Sequence, residues 1–499
     1  MRLNQFRNYQ SPNDPLNFSW RYKQYLAGLS CAAVLMCNAS GAGPSIAIVQ
    51  QTIEWFGAPP TPANISKTAY LFTGTALANG VGLFLWVPAT TKFGRRPMYI
   101  AAFTLYFVCL LWVAFAKSFA AELVGRIVLG LASGAGECLG ALTITDIFFS
   151  HQRGLFMAYY NVFLSCGAAV GLIIDGAVTQ NLPSWRYFYY IDAAIVGAIL
   201  ILVIFTYQET SFNRNEFILN GHVGAHTDGE TPHLAAAQVQ KSYKERMAIY
   251  SGPFTKESYI RMVARPFGIV LLPAVMFSML TFAATIGFLV AVTSNVAPAY
   301  EQILGFSVQN TGFLFFGAIV GSLIGIPAGG WLGDKCSEYG ARRNNGVSEP
   351  EHRLPAMIIP IFLGPLSLVL YGLCIAKRTH WFVGCLGISL VNFNVCAATN
   401  IALVYAIDCY KPIGDEVVTA TLAFKAIIGF VLGFYTNTWV TDQGYLPAYG
   451  QMAAIEGIML LTAVPMYFFG KRLRNSSAKW SFLQWAIRWN DDRDDLKQD

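Results

Sequence analysis

Twelve long apolar stretches alternate with polar segments along the chain. Each holds about 20 residues, the length that an α-helix needs to cross the roughly 30 Å hydrocarbon layer of a bilayer. The pattern predicts helices near residues 22–48, 68–88, 98–116, 121–147, 155–178, 186–206, 267–293, 309–332, 355–376, 381–408, 416–438 and 449–470. The sequence therefore indicates an all-α membrane protein with twelve transmembrane helices.

A polar segment rich in Gly, His, Thr, Lys and Glu divides the twelve stretches into two sets of six. The two sets are similar in detail, because the fourth stretch of each ends at an aspartate, Asp146 in the first set and Asp408 in the second. We expect two pseudo-symmetric six-helix bundles, as in secondary transporters built from related halves. The predicted segments are an N-terminal tail 1–21, a first bundle 22–206, a linker 207–266, a second bundle 267–470 and a C-terminal tail 471–499.

Charge predicts the orientation. Most of the 34 Lys and Arg residues lie in the two tails and in the loops on one side, which places both termini in the cytosol. The net charge of +6 then belongs to a surface beside anionic lipid, so no nucleic-acid partner is expected. The ten cysteines lie in or at the cytosolic ends of predicted helices, and we expect no disulfides. We expect a monomer in the plasma membrane.

Charges inside predicted helices are the strongest candidates for function, because an unpaired charge in a bilayer costs several kcal/mol. Arg126, Gly130, Ser133 and Glu137 share one helical face, with Glu137 about 16 Å from Arg126 along the axis. Glu137 is our leading residue for substrate or proton coupling. A structural ion pair, or a protonated Glu137 bonded to a neighbouring helix, is the alternative. The full candidate set is Glu137, Arg126, Asp175, Lys425, Asn38, Asn161, Asn392 and Asn394.

Lys425, also near mid-depth, has several interpretations. It could hold an anionic substrate, or it could neutralise Glu137 or Asp175 when no substrate is bound. The amides in the candidate set could bind a substrate or simply join helices, since interhelical amide bonds are common.

Two basic loops occupy matching places in the two halves, and each follows the second apolar stretch of its half. Basic groups beside an acid at cytosolic helix ends can hold one conformation and release it in another. We therefore predict a cytosolic gate in which Asp334 pairs with Arg342 or Arg343. The alternative is that the basic groups only fix the topology. The predicted gate residues are Lys92, Arg95, Arg96, Asp146, Asp334, Arg342, Arg343 and Asp408.

These loops carry a resemblance to the major facilitator superfamily, whose motif after the second helix runs Gly-x-x-x-Asp-Arg/Lys-x-Gly-Arg-Arg. The chain has Val87 and Thr91 in place of its glycine and aspartate. Within the superfamily it is similar to the fungal drug:proton antiporter group with twelve spans, and most of all to the branch with histidinol and polyamine transporters. The matching positions are Lys92, Gly94, Arg95 and Arg96, the second copy at Gly330 and Asp334, Arg126 with Gly130, Gly167 with Gly171, Lys425, and the runs 146–154 and 342–354.

The resemblance implies the major facilitator fold and a proton-coupled secondary transporter of a small organic solute. An organic cation such as a polyamine is favoured by Glu137 and Asp175. The alternatives are a multidrug or secondary-metabolite efflux pump, an organic-acid uptake carrier and a solute sensor that does not transport. The chain departs from the antiporter signature at Leu172 and at Asp175-Gly176.

Other classes fit less well. The chain lacks the Gly-x-x-x-x-Gly-Lys-Ser/Thr loop that binds ATP phosphates, and no His or Cys spacing suggests a metal site. We expect no cofactor and no enzymatic activity. The sequon Asn64-Ile65-Ser66 is predicted to lie in an outer loop and to accept a glycan.

Overall fold

The structure is a computed structural model that describes residues 14–212, 245, 247–250, 252–255, 257–344, 346–347, 349–410, 413–477 and 480. Most of the predicted linker, residues 213–244, lies outside these residues, as do residues 1–13 and 481–499 of the two tails.

Helices joined by short connections make up the described chain. In the first half they are Pro15–Asn17, Trp20–Ala42 with the 3₁₀ turn Gly43–Ser45, Ile48–Phe56, Pro62–Phe93, Arg95–Ala114, Phe119–Ile147, Ser150–Asn181 and Tyr187–Thr206. Then follow Tyr259–Ile269, Pro273–Ala297 with the π-helical turns Pro298–Ile303, Val308–Phe313, Phe316–Arg343, the 3₁₀ turns Pro350–Met357, Ile358–Ala376, Trp381–Cys409, Gly414–Gln443, Tyr445–Leu461 and Ala463–Ser477.

Twelve segments of the described chain are long and apolar enough to cross a membrane, which confirms the predicted number and the all-α class. We number them spans 1 to 12 in chain order. Spans 2 to 6 are Ala63–Phe93, Arg95–Ala114, Phe119–Ile147, Leu155–Asn181 and Tyr187–Thr206, and spans 10 and 11 are Trp381–Cys409 and Glu416–Gln443. Five spans join consecutive helices: span 1 is Trp20–Ser45, span 7 Pro273–Ile303, span 8 Val308–Arg343, span 9 Pro350–Ala376 and span 12 Tyr445–Ser477.

Of the predicted boundaries that differ from the structure, two differ for local reasons. The first predicted helix is broken at Gly43–Ser45, because Pro44 has no N–H group to continue the α-helical bonding. The seventh begins at Pro273 rather than at 267, since Tyr259–Ile269 forms a separate helix and proline favours a first helical turn.

The two ends of the bundle differ in charge. One end holds Lys92, Arg95, Arg96, Arg342 and Arg343, and we call it the basic face. The other end, where span 1 ends and span 2 begins, is called the opposite face.

Buried apolar side chains form three clusters. One fills the first half and includes Phe103, and another lies near the basic face of the second half and includes Tyr405. The third lies near the opposite face and contains residues of both halves, among them Ile46, Leu172 and Val296. Apolar packing therefore joins the two halves near the opposite face.

Small residues allow the halves to approach closely there. A Cβ built on Gly80 of span 2 would lie 2.3 Å from the Cβ of Ala426 in span 11, so only glycine fits at this crossing. Further towards the opposite face, the rings of Tyr70 and Phe434 stack with their centroids 5.0 Å apart. Spans 2 and 11 thus stay in contact from mid-depth to the opposite face.

Candidate functional site

The polar face of span 4 is held tightly against span 2. A Cβ on Gly130 would lie 2.2 Å from the carbonyl oxygen of Thr75, which leaves no room for a side chain. One turn further, the Asn79 amide donates a hydrogen bond to the Ser133 hydroxyl at 3.2 Å. Glu137 follows on the same face. Its position is therefore fixed by a helix that packs backbone against backbone on its neighbour.

Glu137 forms an ion pair with Lys425 of span 11. The Lys425 Nζ atom lies 3.1 Å from Glu137 Oε2, and the two side chains are 14% and 6% exposed. Each residue lies about 15 Å along its helix from the basic face, at 1.5 Å per residue. Because span 4 belongs to the first half and span 11 to the second, this buried pair joins the halves at mid-depth.

Two other spans of the first half pack around the Glu137 end of the pair. The Tyr160 hydroxyl of span 5 donates to the backbone carbonyl of Glu137 at 2.5 Å. A Cβ on Gly136 would lie 2.4 Å from the Cys37 Sγ atom of span 1. Spans 1 and 5 therefore pack directly on the turn of span 4 that carries the carboxylate.

A second contact between the halves joins spans 5, 8 and 10. The Cys396 thiol lies close to the hydroxyls of Ser165 and Ser322. Of these, Ser165 belongs to the first half, while Cys396 and Ser322 belong to the second.

Three of the four predicted amides lie on spans 1, 5 and 10. Asn161 is half-buried on span 5. The amides of Asn38 and Asn392 donate to carbonyl oxygens one turn earlier on their own helices, those of Val34 at 3.1 Å and Ile388 at 3.0 Å. Their side-chain oxygens are not used in these bonds.

For Asn394 the structure supports the alternative interpretation of the amides, the joining of helices. Its amide donates to the Glu456 carboxylate of span 12 at 2.7 Å, and a Cβ on Gly364 of span 9 would lie 2.4 Å from the Asn394 Nδ2 atom. Asn392 and Asn394 are two residues apart, so they point to nearly opposite sides of their helix. Asn394 therefore joins spans 9, 10 and 12 rather than lining the site at Glu137.

Arg126 and Asp175 lie away from Glu137, towards the opposite face. Arg126 is 1% exposed; its Nε donates to the Leu71 carbonyl at 2.9 Å and its Nη1 to the Tyr189 hydroxyl at 2.5 Å. Asp175 is also 1% exposed and accepts a hydrogen bond from Thr179 at 3.1 Å. The structure thus brings Glu137 and Lys425 together but separates them from these two residues.

At the basic face, the loop between spans 2 and 3 is held by acids from two other places in the chain. Arg95 pairs with Asp146 at 3.1 Å, which joins spans 3 and 4. The Glu209 carboxylate accepts from the backbone N–H groups of Arg95 and Arg96 at 2.9 and 3.2 Å. The end of the linker also contacts this loop, since Lys92 donates to the Glu257 carbonyl at 3.0 Å. We did not predict Glu209, and its only signal was an acid directly after span 6.

The predicted pairing of Asp334 with Arg342 or Arg343 is wrong. Asp334 pairs with Arg353 of span 9 at 2.9 Å, while Arg342 pairs with Glu338 of its own helix at 2.6 Å. Arg342 and Arg343 lie about 12 Å beyond Asp334 on one continuous helix, too far for a direct contact.

Asp408 lies beside the Asp334–Arg353 pair. It lines a cavity of about 300 Å³ at the basic face, together with Arg353 and Arg474. Among the described residues no group of three His, Cys, Asp or Glu side chains could hold a metal ion.

Asn64 lies in the first turn of the helix Pro62–Phe93, not in a loop, and is half-buried. Its backbone N–H donates to the Thr61 hydroxyl at 3.3 Å, because Thr61 caps this helix.

Comparison with known proteins identifies the family. Residues 28–415 match the sequence model of the Major Facilitator Superfamily. The chain belongs to this superfamily. It is a secondary transporter of a solute and a multi-pass membrane protein.

Among its relatives, the chain is 25% identical to the protein HOL1 of Saccharomyces cerevisiae over 95% of this chain and 90% of that one. It is 26% identical to the MFS-type transporter penM of Penicillium rubens, over 94% of this chain and 89% of that one. A probable drug/proton antiporter of Saccharomyces cerevisiae, YHK8, is 24% identical over 91% and 85%. The resemblance to fungal members of the superfamily is thus confirmed.

Solved structures support the fold. The partially occluded inward-open form of the xylose transporter XylE from E. coli superposes with a TM-score of 0.60 at 14% identity, over 90% of this chain and 99% of that one. A crystal structure of a D-xylose-proton symporter gives a TM-score of 0.62 at 14% identity, over 90% and 97%. The major facilitator fold is therefore confirmed.

Proposed function

We propose that this transporter is proton-coupled and moves a small organic cation, such as a polyamine, which competes with Lys425 for Glu137. The observation that carries the proposal is the ion pair itself. Glu137 already holds a primary ammonium group at the end of a four-carbon chain, at 3.1 Å and at mid-depth. A polyamine presents the same chemical group. Lys425 thus occupies the position that we assign to the substrate's ammonium.

Charge balance explains the coupling to protons. The pair is neutral overall, and a buried charge that loses its partner is costly. When a cation takes Glu137, Lys425 can stay without a partner only if it releases its proton, because desolvation disfavours the charged ammonium. One cation is then exchanged for one proton. The exchange leaves the net charge of the site unchanged for a singly charged cation, or for the one ammonium group of a polyamine that binds Glu137.

The same pair supports a second candidate function, the uptake of an organic acid. An anion that binds Lys425 would free Glu137, which would have to take up a proton to stay buried. Acid and proton would then move in the same direction. The two candidates differ in the direction in which the proton moves relative to the solute.

The motion that we propose is a rocking of residues 22–206 against residues 267–470 about the mid-depth contacts. Opening towards the opposite face requires the loss of apolar packing there, such as that around Leu172 and Val296. The ion pairs of Arg95 with Asp146 and of Asp334 with Arg353 each lie within one half, and we propose that they assist the gate by holding the helix ends at the basic face in place while the halves move. Breaking the Glu137–Lys425 pair frees the halves to move.

Flux measurements test this proposal. Labelled spermidine, a labelled weak organic acid and a labelled hydrophobic drug are offered to cells that express the transporter, with and without an imposed pH gradient. We expect gradient-dependent movement of spermidine that is lost in Glu137→Gln. Glu338→Gln is the matched control, because Glu338 is an exposed acid at the basic face.

Each result decides between the candidates. Spermidine flux that is unchanged in Glu137→Gln removes Glu137 from the mechanism. Gradient-driven movement of the acid alone favours the organic-acid carrier, and movement of the drug alone favours an efflux pump. Binding of spermidine without flux in either direction would leave a sensor.

We further propose that the basic face lies in the cytosol, that the transporter is a plasma-membrane monomer, and that Asn64 carries a glycan on the outer side. Ser66→Ala removes the sequon without changing Asn64. We expect the glycosidase-sensitive fraction of the protein to disappear in this variant. A shift that persists would place the glycan elsewhere, and no shift in the parent chain would contradict a glycan at Asn64.

A further inference from the structure

Asp175 carries a buried oxygen atom that has no partner. Its Oδ1 atom accepts from the Thr179 hydroxyl at 3.1 Å. The Oδ2 atom is buried and has no hydrogen-bond partner within the described part of the chain. A carboxylate that is 1% exposed with one free oxygen is poorly stabilised as an anion. A protonated carboxylic acid fits this environment better.

The residue after Asp175 lies in a contact between the halves. A Cβ on Gly176 would lie 3.1 Å from the Val308 carbonyl oxygen, and a Cβ on Gly312 would lie 2.9 Å from the Leu172 carbonyl oxygen. Span 5 of the first half therefore packs backbone to backbone on the start of span 8 in the second. Separation of the halves at the opposite face would open this contact and bring water to Asp175.

Charged and titratable groups near Asp175 come from the first half. Arg126 of span 4 favours the ionised carboxylate, whereas Asp192 of span 6 disfavours it, and Tyr189 of span 6 also lies within electrostatic reach. The facing segment of span 8, Val308–Phe313, contains no charged residue, and neither does the adjoining turn Gly43–Ser45 of span 1. When the contact between spans 5 and 8 is closed and excludes water, the neutral acid form of Asp175 is therefore favoured. When water reaches Asp175 beside Arg126, the ionised form is favoured.

We propose that Asp175 is a proton-binding site of the opposite face: it is protonated when the span 5–span 8 contact is closed and ionised, facing Arg126, when that contact is open. The inference rests on the proposed proton coupling and adds a site separate from Glu137. The proton comes from the solution on the opposite face and returns there when the face reopens. Acidity on that side then favours closure.

A reporter in the contact tests the proposal without any substrate. Thr311 is completely buried next to Gly312, so Thr311→Cys should react with a membrane-impermeant maleimide only when the opposite face opens. The parent chain gives the background of the native cysteines, and intact cells and inside-out vesicles identify the side. Labelling is divided by that of a freely exposed cysteine at the same pH, because only the thiolate reacts and its fraction falls in acid. We expect this corrected labelling to fall in acid by up to about tenfold per pH unit, because a single proton is bound, and it is the quantity compared between variants.

Variants of Asp175 then separate its protonation from other effects. Asp175→Asn, always neutral, should label slowly at every pH, whereas Asp175→Glu should keep a pH dependence. Asp192→Asn is the control for a second buried acid outside the contact: because Asp192 lies within electrostatic reach of Asp175, its removal should shift the midpoint of the pH dependence without abolishing it. A pH dependence that survives in Asp175→Asn, or that is lost in Asp192→Asn alone, overturns the proposal.

A second measurement tests the proposal if the Thr311→Cys reporter does not react with the maleimide. Hydrogen exchange of residues 171–181 is followed in the chain without the added cysteine, in acidic and in alkaline buffer. The exchange rates are converted to protection factors, which remove the intrinsic rise of amide exchange with pH. Protection that falls with rising pH in the wild type but not in Asp175→Asn supports the proposal, and equal protection profiles overturn it. Neither assay requires flux, so a failure of the proposed polyamine transport would leave this result intact, and the reverse also holds.

Discussion

The Glu209 carboxylate caps the first turn of span 3, where it accepts from the backbone N–H group of Arg95 at 2.9 Å. The first N–H groups of a helix have no partner within the helix. A carboxylate at this end also interacts favourably with the helix dipole. Since Glu209 follows span 6, the start of the linker is tied to the basic loop between spans 2 and 3.

Removal of this cap should destabilise the transporter. We expect Glu209→Ala to lower the free energy of unfolding by about 1–2 kcal/mol, the usual cost of losing a capping side chain. Glu209→Gln keeps an acceptor and should cost less. Thermal unfolding of the purified protein in detergent measures both. Glu338→Ala serves as the control, because the Glu338 partners Lys335 and Arg342 lie on its own exposed helix face. Equal unfolding temperatures for Glu209→Ala and the wild type would contradict a capping role.

The sequence predicted those features that depend on positions close together in the chain. The lengths of the apolar stretches and the charges of the loops between them give the number of helices, because each transmembrane helix needs its own stretch of about 20 apolar residues. Helical spacing likewise predicted the common face of Arg126 and Glu137. The structure selects between partners that the sequence left open: Lys425 pairs with Glu137, which is 288 positions away, and not with Asp175. Spacing within one helix cannot select a partner on another.

The wrong pairing of Asp334 has a similar cause. Arg342 and Arg343 were chosen because they follow Asp334 in the sequence, but the helix continues to Arg343 and keeps them apart. Arg353 lies further along the chain, after the turn into span 9, and is close in space. Loop residues can be paired from sequence only when the helix ends are known to within a turn.

The Glu137–Lys425 pair should show strong coupling in a double-mutant cycle. Either Glu137→Met or Lys425→Met leaves a buried charge without its partner, and we expect each to cost about 3–5 kcal/mol of stability. The double variant removes both charges and should recover most of that loss. Unfolding temperatures of the four proteins in detergent give the coupling free energy. Single effects that simply add in the double variant would mean that the two charges do not stabilise each other.

The Asp334–Arg353 pair should affect transport more than stability. Asp334 is 70% exposed, so its ion pair contributes at most about 1 kcal/mol to folding. If the pair assists the gate at the basic face, Asp334→Ala and Arg353→Ala should slow flux by similar factors, and the double variant should be no slower than either. Arg342→Ala should leave the rate near that of the wild type, because Arg342 pairs with Glu338. Initial rates of solute flux measure this, and a large effect of Arg342→Ala alone would return the gate to the originally predicted pair.

The Glu349–Lys471 ion pair at the basic face should give a pH-dependent contribution to stability. The Lys471 ammonium, which donates a hydrogen bond to Glu349, holds the pKa of that carboxyl below its ordinary value. A lowered pKa means that folding favours the ionised form. The stabilisation is therefore complete above the unfolded-state pKa of about 4.3 and is lost as the pH falls through the folded-state value. Because Lys471 is 59% exposed, the gain is at most about 1 kcal/mol.

Lys471→Met tests this contribution. We expect a lower unfolding temperature than that of the wild type at neutral pH, and a difference that shrinks in acid, where Glu349 is protonated in both proteins. Lys471→Arg keeps the charge and should follow the wild type at every pH. High salt should also reduce the neutral-pH difference, since exposed charges are screened. A difference between Lys471→Met and the wild type that stays constant with pH would assign the effect to the packing of the Lys471 side chain rather than to its charge.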